Sequence, residues 1–211
     1  MDATHTAPID ERLEDEHFGR ATGGKVGMWI FIAQDGMAFG GLLLAYGMLR
    51  IFSPDWPVPN HILGISLTAF ATFLLICSSV SMVLAVDASQ KADKRRTVFW
   101  LALTICGGLG FLGIQAFEYT HLVREGIGFT TSTFDGHPIN SLFGSTFYIV
   151  TGFHGAHVTA GVIYLTCILV GTLKGKYTKG GMSYSPVELV GLFWHFVDLV
   201  WILVFTFIYL L

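Results

Sequence analysis

Five long apolar stretches restrict this chain to a helical fold inside a membrane. A helix needs about 20 apolar residues to cross the hydrocarbon core of a bilayer. The strands of an outer-membrane barrel would instead alternate apolar and polar residues over about 10 positions, and these stretches do not alternate. The sequence therefore predicts an all-α integral membrane bundle of five transmembrane helices. The stretches lie at about residues 26–49, 62–86, 97–121, 141–171 and 187–211, after a polar tail at residues 1–25.

The composition agrees with a membrane protein and disfavours several other classes. Of the 211 residues, 53% are hydrophobic and only 13% are charged, which is unlike a soluble domain. Basic residues occur in a few short segments and form no basic face, so no nucleic-acid partner is expected. Cys77, Cys106 and Cys167 are isolated in apolar stretches. No Cys-x-x-Cys motif is present, so neither a disulfide framework nor a thiolate metal site is indicated.

Lys and Arg residues are unevenly distributed between the two ends of the predicted helices. Ten of the twelve lie in the tail and in the second and fourth loops, whereas Arg50 and Arg124 lie in the first and third loops. Loops rich in Lys and Arg stay on the cytoplasmic side of a membrane. We therefore expect a cytoplasmic N-terminus and an external C-terminus.

Two pairs of ionisable residues lie near the middle of the last two stretches. His154 and His157 occur in Thr-Gly-Phe-His-Gly-Ala-His-Val, and His195 and Asp198 occur in Phe-Trp-His-Phe-Val-Asp-Leu-Val-Trp. The spacing of three residues places each pair on one helix face. Imidazole and carboxylate groups suit zinc or iron. They also bond neighbouring helices or buried water. The residues alone leave both interpretations open.

Three more polar residues fall inside the predicted helices. Asp35, in Phe-Ile-Ala-Gln-Asp-Gly, is a candidate for a proton path, for a bond to a lipid or partner helix, or for a polar patch. Ionisable groups at such depth cost about 2.5–3.5 kcal/mol on insertion scales, so a role is expected. Gln115 and Glu118 form a polar pair on one face near the outer end of the third helix. We expect Glu118 to reach the membrane interface.

Glycines recur in the third stretch and include a literal G-x-G-x-x-G at residues 108–113. A dinucleotide site needs this motif between a strand and a helix, and here it lies inside a membrane helix. Gly107, Gly110 and Gly113 instead predict a stripe against which another helix packs closely. Gly36 and Gly40 predict a similar contact on the first helix.

Four segments resemble subunit III of the haem–copper oxidases. The segment Phe193–Trp201 resembles the most recognisable stretch of that family, and Thr151–Val158 and Gly113–Tyr119 resemble two more. Ser78 and Ser79 resemble a fourth. The resemblance covers all five predicted helices in order. Many members of the family have seven helices, and this chain resembles the shorter bacterial form that lacks the first two.

The resemblance implies a non-catalytic subunit of a proton-pumping cytochrome c oxidase, which reduces O2 to water in the bacterial inner membrane. Haem and copper would belong to subunits I and II, with no metal and no catalytic residue in this chain. The subunit would stabilise subunit I, bind phospholipid, and support proton uptake and durable turnover. The resemblance also implies a structural role for four residues, His154, His157, His195 and Asp198.

The electron donor follows less directly from the resemblance. The family has a carboxyl-reactive glutamate after a serine where this chain has Gln34 and Asp35, so Asp35 is the candidate proton-uptake or lipid-linked carboxylate. Aspartate at this position resembles the quinol-oxidising branch. Thr151-Gly-Phe-His and Gln115–Tyr119 resemble the cytochrome c branch, so we favour cytochrome c over quinol as donor to the complex. Neither would donate to this chain.

Two alternatives stand beside this hypothesis. The first is a subunit III of a quinol oxidase or of a homologue associated with nitric oxide reduction. The second, from another class, is an intramembrane metal or proton transporter. Its ligands would be His154, His157, His195 and Asp198.

Overall fold

The structure of the chain is a computed structural model that describes residues 23–53, 56–57, 63–130, 133–134, 137–138, 140–175 and 185–211. Most of the predicted polar tail, residues 1–22, lies outside the described part. The predicted start of the second helix at Ile62 lies outside it as well.

The described residues contain five helices that are long and apolar enough to cross a membrane, so the predicted all-α bundle is confirmed. A short antiparallel pair, β1 (Thr133–Phe134) with β2 (His137–Pro138), was not predicted and precedes the fourth helix. The helices are α1 (Gly23–Phe52), α2 (Ile65–Gln90), α3 (Lys94–Arg124), α4 (Ser141–Leu173) and α5 (Ser185–Phe205), which continues as a π-helical turn (Thr206–Leu210).

Most helices extend beyond the apolar stretches that predicted them. Helix α2 runs four residues past Val86, and α3 begins three residues before Thr97. Hydropathy detects only the part of a helix that lies in hydrocarbon, whereas backbone hydrogen bonds continue into the polar ends. The side chain of Asp93 sets the start of α3, because its Oδ1 accepts a hydrogen bond from the Arg96 N–H at 3.1 Å.

Helices α2 and α3 pack most closely through glycine. A Cβ added at Gly107 would lie 2.6 Å from the Cβ of Ser78, and one at Gly110 would lie 2.9 Å from Leu74. The predicted packing role is therefore confirmed at both glycines. At Gly113 an added Cβ would meet nothing within 4 Å among the described residues, so no helix of this chain packs there in the described part. On α1, a Cβ added at Gly40 would also meet nothing within 4 Å among the described residues.

Helix α5 occupies the centre of the bundle and contacts α1, α2 and α4. Trp194 is 1% exposed and lies between Gly108 of α3 and Gly161 of α4, each of which leaves room for the indole ring. Its Nε1–H donates to Ser78 Oγ at 3.1 Å. Trp201 lies two turns further along α5 and donates to Thr72 Oγ1 at 2.8 Å. Each indole N–H thus has a hydrogen-bond acceptor inside the apolar core.

We predict that Gly107→Ala destabilises the bundle by about 1–3 kcal/mol, because the new methyl group overpacks the contact with Ser78. Gly113→Ala is the matched control and should leave stability unchanged or slightly raised, since alanine favours helix. Thermal unfolding of the two purified variants in the same detergent measures the difference. Equal melting temperatures would contradict the packing assigned to Gly107.

Candidate functional site: polar contacts inside the membrane helices

Asp35 and His157 form a contact between α1 and α4. His157 Nε2 lies 3.2 Å from Asp35 Oδ2, and the two side chains are only 16% and 11% exposed. The other ring nitrogen, Nδ1, lies 2.8 Å from the backbone carbonyl of Phe153. Because a carbonyl oxygen only accepts, Nδ1 carries a hydrogen and Nε2 faces Asp35. The imidazole Nε2 and the carboxyl Oδ2 are therefore the two atoms that face each other across the junction of α1 and α4.

The surroundings of this pair are aromatic. The ring of Phe39 lies 5.2 Å from that of His157, and the ring of Phe153 lies 4.6 Å from it. Asp35 Oδ2 has no aligned hydrogen bond among the described residues. His157 Nε2 is the polar atom recorded beside this oxygen, so loss of His157 would leave Asp35 Oδ2 without a polar neighbour in an apolar environment.

A second contact joins α2 to α5. Ser79 Oγ lies 2.8 Å from His195 Nδ1 and also makes a side-chain hydrogen bond to Asp198. A serine hydroxyl has one hydrogen, so it donates to one neighbour and accepts from the other. Asp198 Oδ1 is buried and has no partner in the described part of the chain. The arrangement is a compact polar contact between helices.

His154 differs from the other three predicted residues. It is fully buried, and neither ring nitrogen has a hydrogen-bond partner in the described structure. Its ring lies 4.8 Å from that of Trp201 and 5.7 Å from that of Phe111. His154 is thus held by aromatic packing. His157 lies one helical turn further along α4 and contacts Asp35 instead.

The structure therefore distributes the four residues over three environments. Among the described residues, no three His, Cys, Asp or Glu side chains are grouped as a metal site would require. This arrangement gives the metal-transporter alternative no support. Sequence spacing identified the pairs but did not reveal Ser79 as the residue that bridges His195 and Asp198.

Glu118 lies at the centre of a buried network near one end of the bundle. It accepts hydrogen bonds from Thr68 at 2.9 Å and from Tyr209 at 2.8 Å, and Gln115 Nε2 lies 3.5 Å from it. Glu118 is only 5% exposed, so the expectation that it reaches the membrane interface is wrong. The network ties α2, α3 and the end of α5 together. A comparison of the depths of polar residues in antiparallel helices would have indicated Thr68 and Tyr209 as partners of Glu118.

The sequence matches the model of a protein family over nearly its whole length. The family model described as cytochrome c oxidase subunit III matches residues 11–211. The chain belongs to the cytochrome c oxidase subunit III family. It is accordingly a subunit III of a haem–copper oxidase, a respiratory enzyme complex with other subunits. It is also a multi-pass protein of the bacterial inner membrane, in agreement with its five spanning helices.

Similar proteins carry names from both donor branches. The chain is 37% identical to the cytochrome c oxidase subunit 3 of Corynebacterium diphtheriae, over 87% of this chain and 86% of that protein. It is 32% identical to the quinol oxidase subunit 3 of Bacillus subtilis, over 88% and 86%. It is 29% identical to the cytochrome bo(3) ubiquinol oxidase subunit 3 of Pseudomonas aeruginosa, over 98% and 95%.

We predict that His195→Ala or Asp198→Ala weakens assembly of the subunit with its complex and leaves haem spectra unchanged. Each substitution leaves polar atoms at the α2–α5 contact without partners, which costs about 1–3 kcal/mol. His121→Ala, at an exposed position of α3, is the control. Subunit retention on native gels measures the effect. Normal assembly with selective loss of a bound metal would favour the transporter alternative.

Proposed function

We propose that the chain is the non-catalytic subunit III of a proton-pumping cytochrome c oxidase that reduces O2 to water. Its N-terminus lies on the cytoplasmic side. Subunits I and II hold the haem and copper and receive the electrons of cytochrome c. This chain stabilises subunit I, binds phospholipid, and supports proton uptake and the durability of turnover.

The Asp35–His157 contact carries the part of the proposal that concerns this chain's own residues. It joins α1 to α4 through two polar atoms 3.2 Å apart, beside the aromatic rings of Phe39 and Phe153. Such a polar pair holds the two helices together, because loss of His157 would leave Asp35 Oδ2 without its polar neighbour in an apolar environment. The pair thus supports a subunit that preserves the shape of the complex during turnover.

A quinol oxidase is the second candidate. Two of the three relatives described above have quinol or ubiquinol in their names, and the chain has aspartate at position 35. The resemblance of residues 115–119 and 151–154 to the cytochrome c branch favours cytochrome c. The two candidates differ in electron donor and agree on the role of this subunit.

Purification in mild detergent through a tag on this chain tests the assignment. We expect a larger haem-bearing partner to co-purify and the preparation to oxidise reduced cytochrome c. Oxidation of quinol alone would favour the second candidate. Haem that remains on the isolated, folded chain would contradict the assignment to subunit III.

We predict that Asp35→Asn behaves nearly like the wild type, whereas Asp35→Leu begins at a similar rate and inactivates sooner. The Asn amide can donate to His157 Nε2, and leucine cannot. His157→Leu should inactivate like Asp35→Leu, and the double variant should be no worse than either single variant. Continuous O2 consumption by the purified complex measures initial rate and lifetime.

Met37→Leu, on the exposed face of α1, is the matched control and should keep the wild-type lifetime. The opposite result would be an immediate loss of proton pumping in both Asp35 variants while the complex remains fully assembled. Asp35 would then belong to an obligatory proton path, and the structural role proposed for its contact with His157 would be wrong.

A further inference from the structure

A cavity of about 440 Å³ lies at the turn between α2 and α3, remote from Asp35 and His157 in sequence. Its charged lining consists of two carboxylates, Asp87 and Asp93, and two cations, Lys91 and Arg96. The cavity is comparable in size to small-molecule sites in proteins. Its formal charge is balanced, so it suits a ligand that carries both signs.

The remaining lining residues place this cavity at the boundary between water and hydrocarbon. One turn away from the charges, on the side of the membrane core, the lining becomes apolar with Leu84 and Phe99. Trp100 stands beside Phe99, with ring centroids 5.2 Å apart. Tryptophan is typical of the membrane interface. Leu84 and Phe99 are 38% and 60% exposed, so an apolar chain can continue along the helices from the cavity.

Each helix end at this turn combines a capping residue of the favoured sign, Lys91 for α2 and Asp93 for α3, with a charge inside the helix that the dipole disfavours. The last turn of α2 holds Asp87 and has no basic residue, and the first turn of α3 holds Arg96 and has no acidic residue. A helix C-terminus favours cations and a helix N-terminus favours anions. Lys91 and Asp93 already offset these two charges in part. A ligand with an ammonium group near Asp87 and a phosphate near Arg96 would add to that compensation.

The ion pairs already present leave hydrogen-bonding groups available for such a ligand. Lys91 lies 2.7 Å from Asp87, and Arg96 Nε lies 3.3 Å from Asp93. All four side chains are at least 41% exposed, and exposed pairs of this kind contribute little stability and rearrange readily. Arg96 uses Nε in its pair, which leaves its two Nη groups as donors for a phosphate.

We propose that this cavity binds the headgroup of a zwitterionic aminophospholipid such as phosphatidylethanolamine. The primary ammonium group donates to Asp87 and Asp93, and the phosphate accepts from Lys91 and Arg96. The acyl chains leave the cavity over Leu84 and Phe99. A choline headgroup has no N–H to donate, and an anionic headgroup brings no cation to the two carboxylates. This site gives a place and a headgroup to the phospholipid binding proposed above and rests on that part of the proposed function, but it is independent of Asp35 and of the electron donor of the complex.

Photo-crosslinking of the purified complex tests the proposal. The probe is phosphatidylethanolamine with a diazirine in its acyl chain, competed by unlabelled phosphatidylethanolamine, phosphatidylcholine or phosphatidylglycerol with identical chains. We expect labelling between residues 80 and 103. We also expect phosphatidylethanolamine to compete about tenfold better than the other two lipids, a difference typical of one charge-assisted hydrogen bond.

Two variants separate the roles of the charges. Asp87→Asn should reduce the preference for phosphatidylethanolamine over phosphatidylglycerol about tenfold, whereas Arg96→Gln should weaken labelling whichever headgroup the probe carries. Asp93 is retained because it caps α3. Arg124→Gln, exposed at the opposite end of α3, is the control and should label like the wild type. Equal competition by all three lipids, or wild-type behaviour of both site variants, would overturn the proposal.

Discussion

The absence of water from the hydrocarbon core governs this structure. A polar side chain in that region is stabilised by a partner in the protein, since lipid tails offer none. Several partners come from a different helix. Trp201 bonds Thr72, Trp194 bonds Ser78, and Tyr209 bonds Glu118. These three contacts fix α5 against α2 and α3 at three depths, so hydrogen bonds specify an alignment of helices that uniform apolar packing would leave less defined.

Glycine complements these hydrogen bonds by setting the distance between helices. The indole of Trp194 fits because Gly108 and Gly161 present no side chain towards it, and α2 approaches α3 because Gly107 presents none towards Ser78. Close approach then brings Ser78 within reach of the Trp194 Nε1–H. Packing and hydrogen bonding are therefore coupled at this point, and a larger residue at Gly107 or Gly108 would disturb both.

The sequence predicted the number and type of the helices because apolar length alone determines which segments span a bilayer. It predicted less of the candidate site. The spacing of His195 and Asp198 identified their shared face but contained no information about Ser79, which is 116 residues from His195. Glu118 was misplaced for the same reason, since its donors Thr68 and Tyr209 come from other helices. Such contacts depend on helix rotation and depth, which periodicity within one helix does not define.

Helix α1 is attached to the rest of the bundle by polar contacts along its length. It is the least buried of the five spans. Polar contacts join it to its neighbours at both ends, where Lys25 lies 2.9 Å from Glu188 and Arg50 donates to the Leu211 carbonyl. Between these ends, the Asp35–His157 contact joins it to α4. A helix with little buried area opens locally more readily than the core of a bundle. The Asp35–His157 contact therefore adds an attachment at the middle of the helix that has the least buried surface to hold it in the bundle.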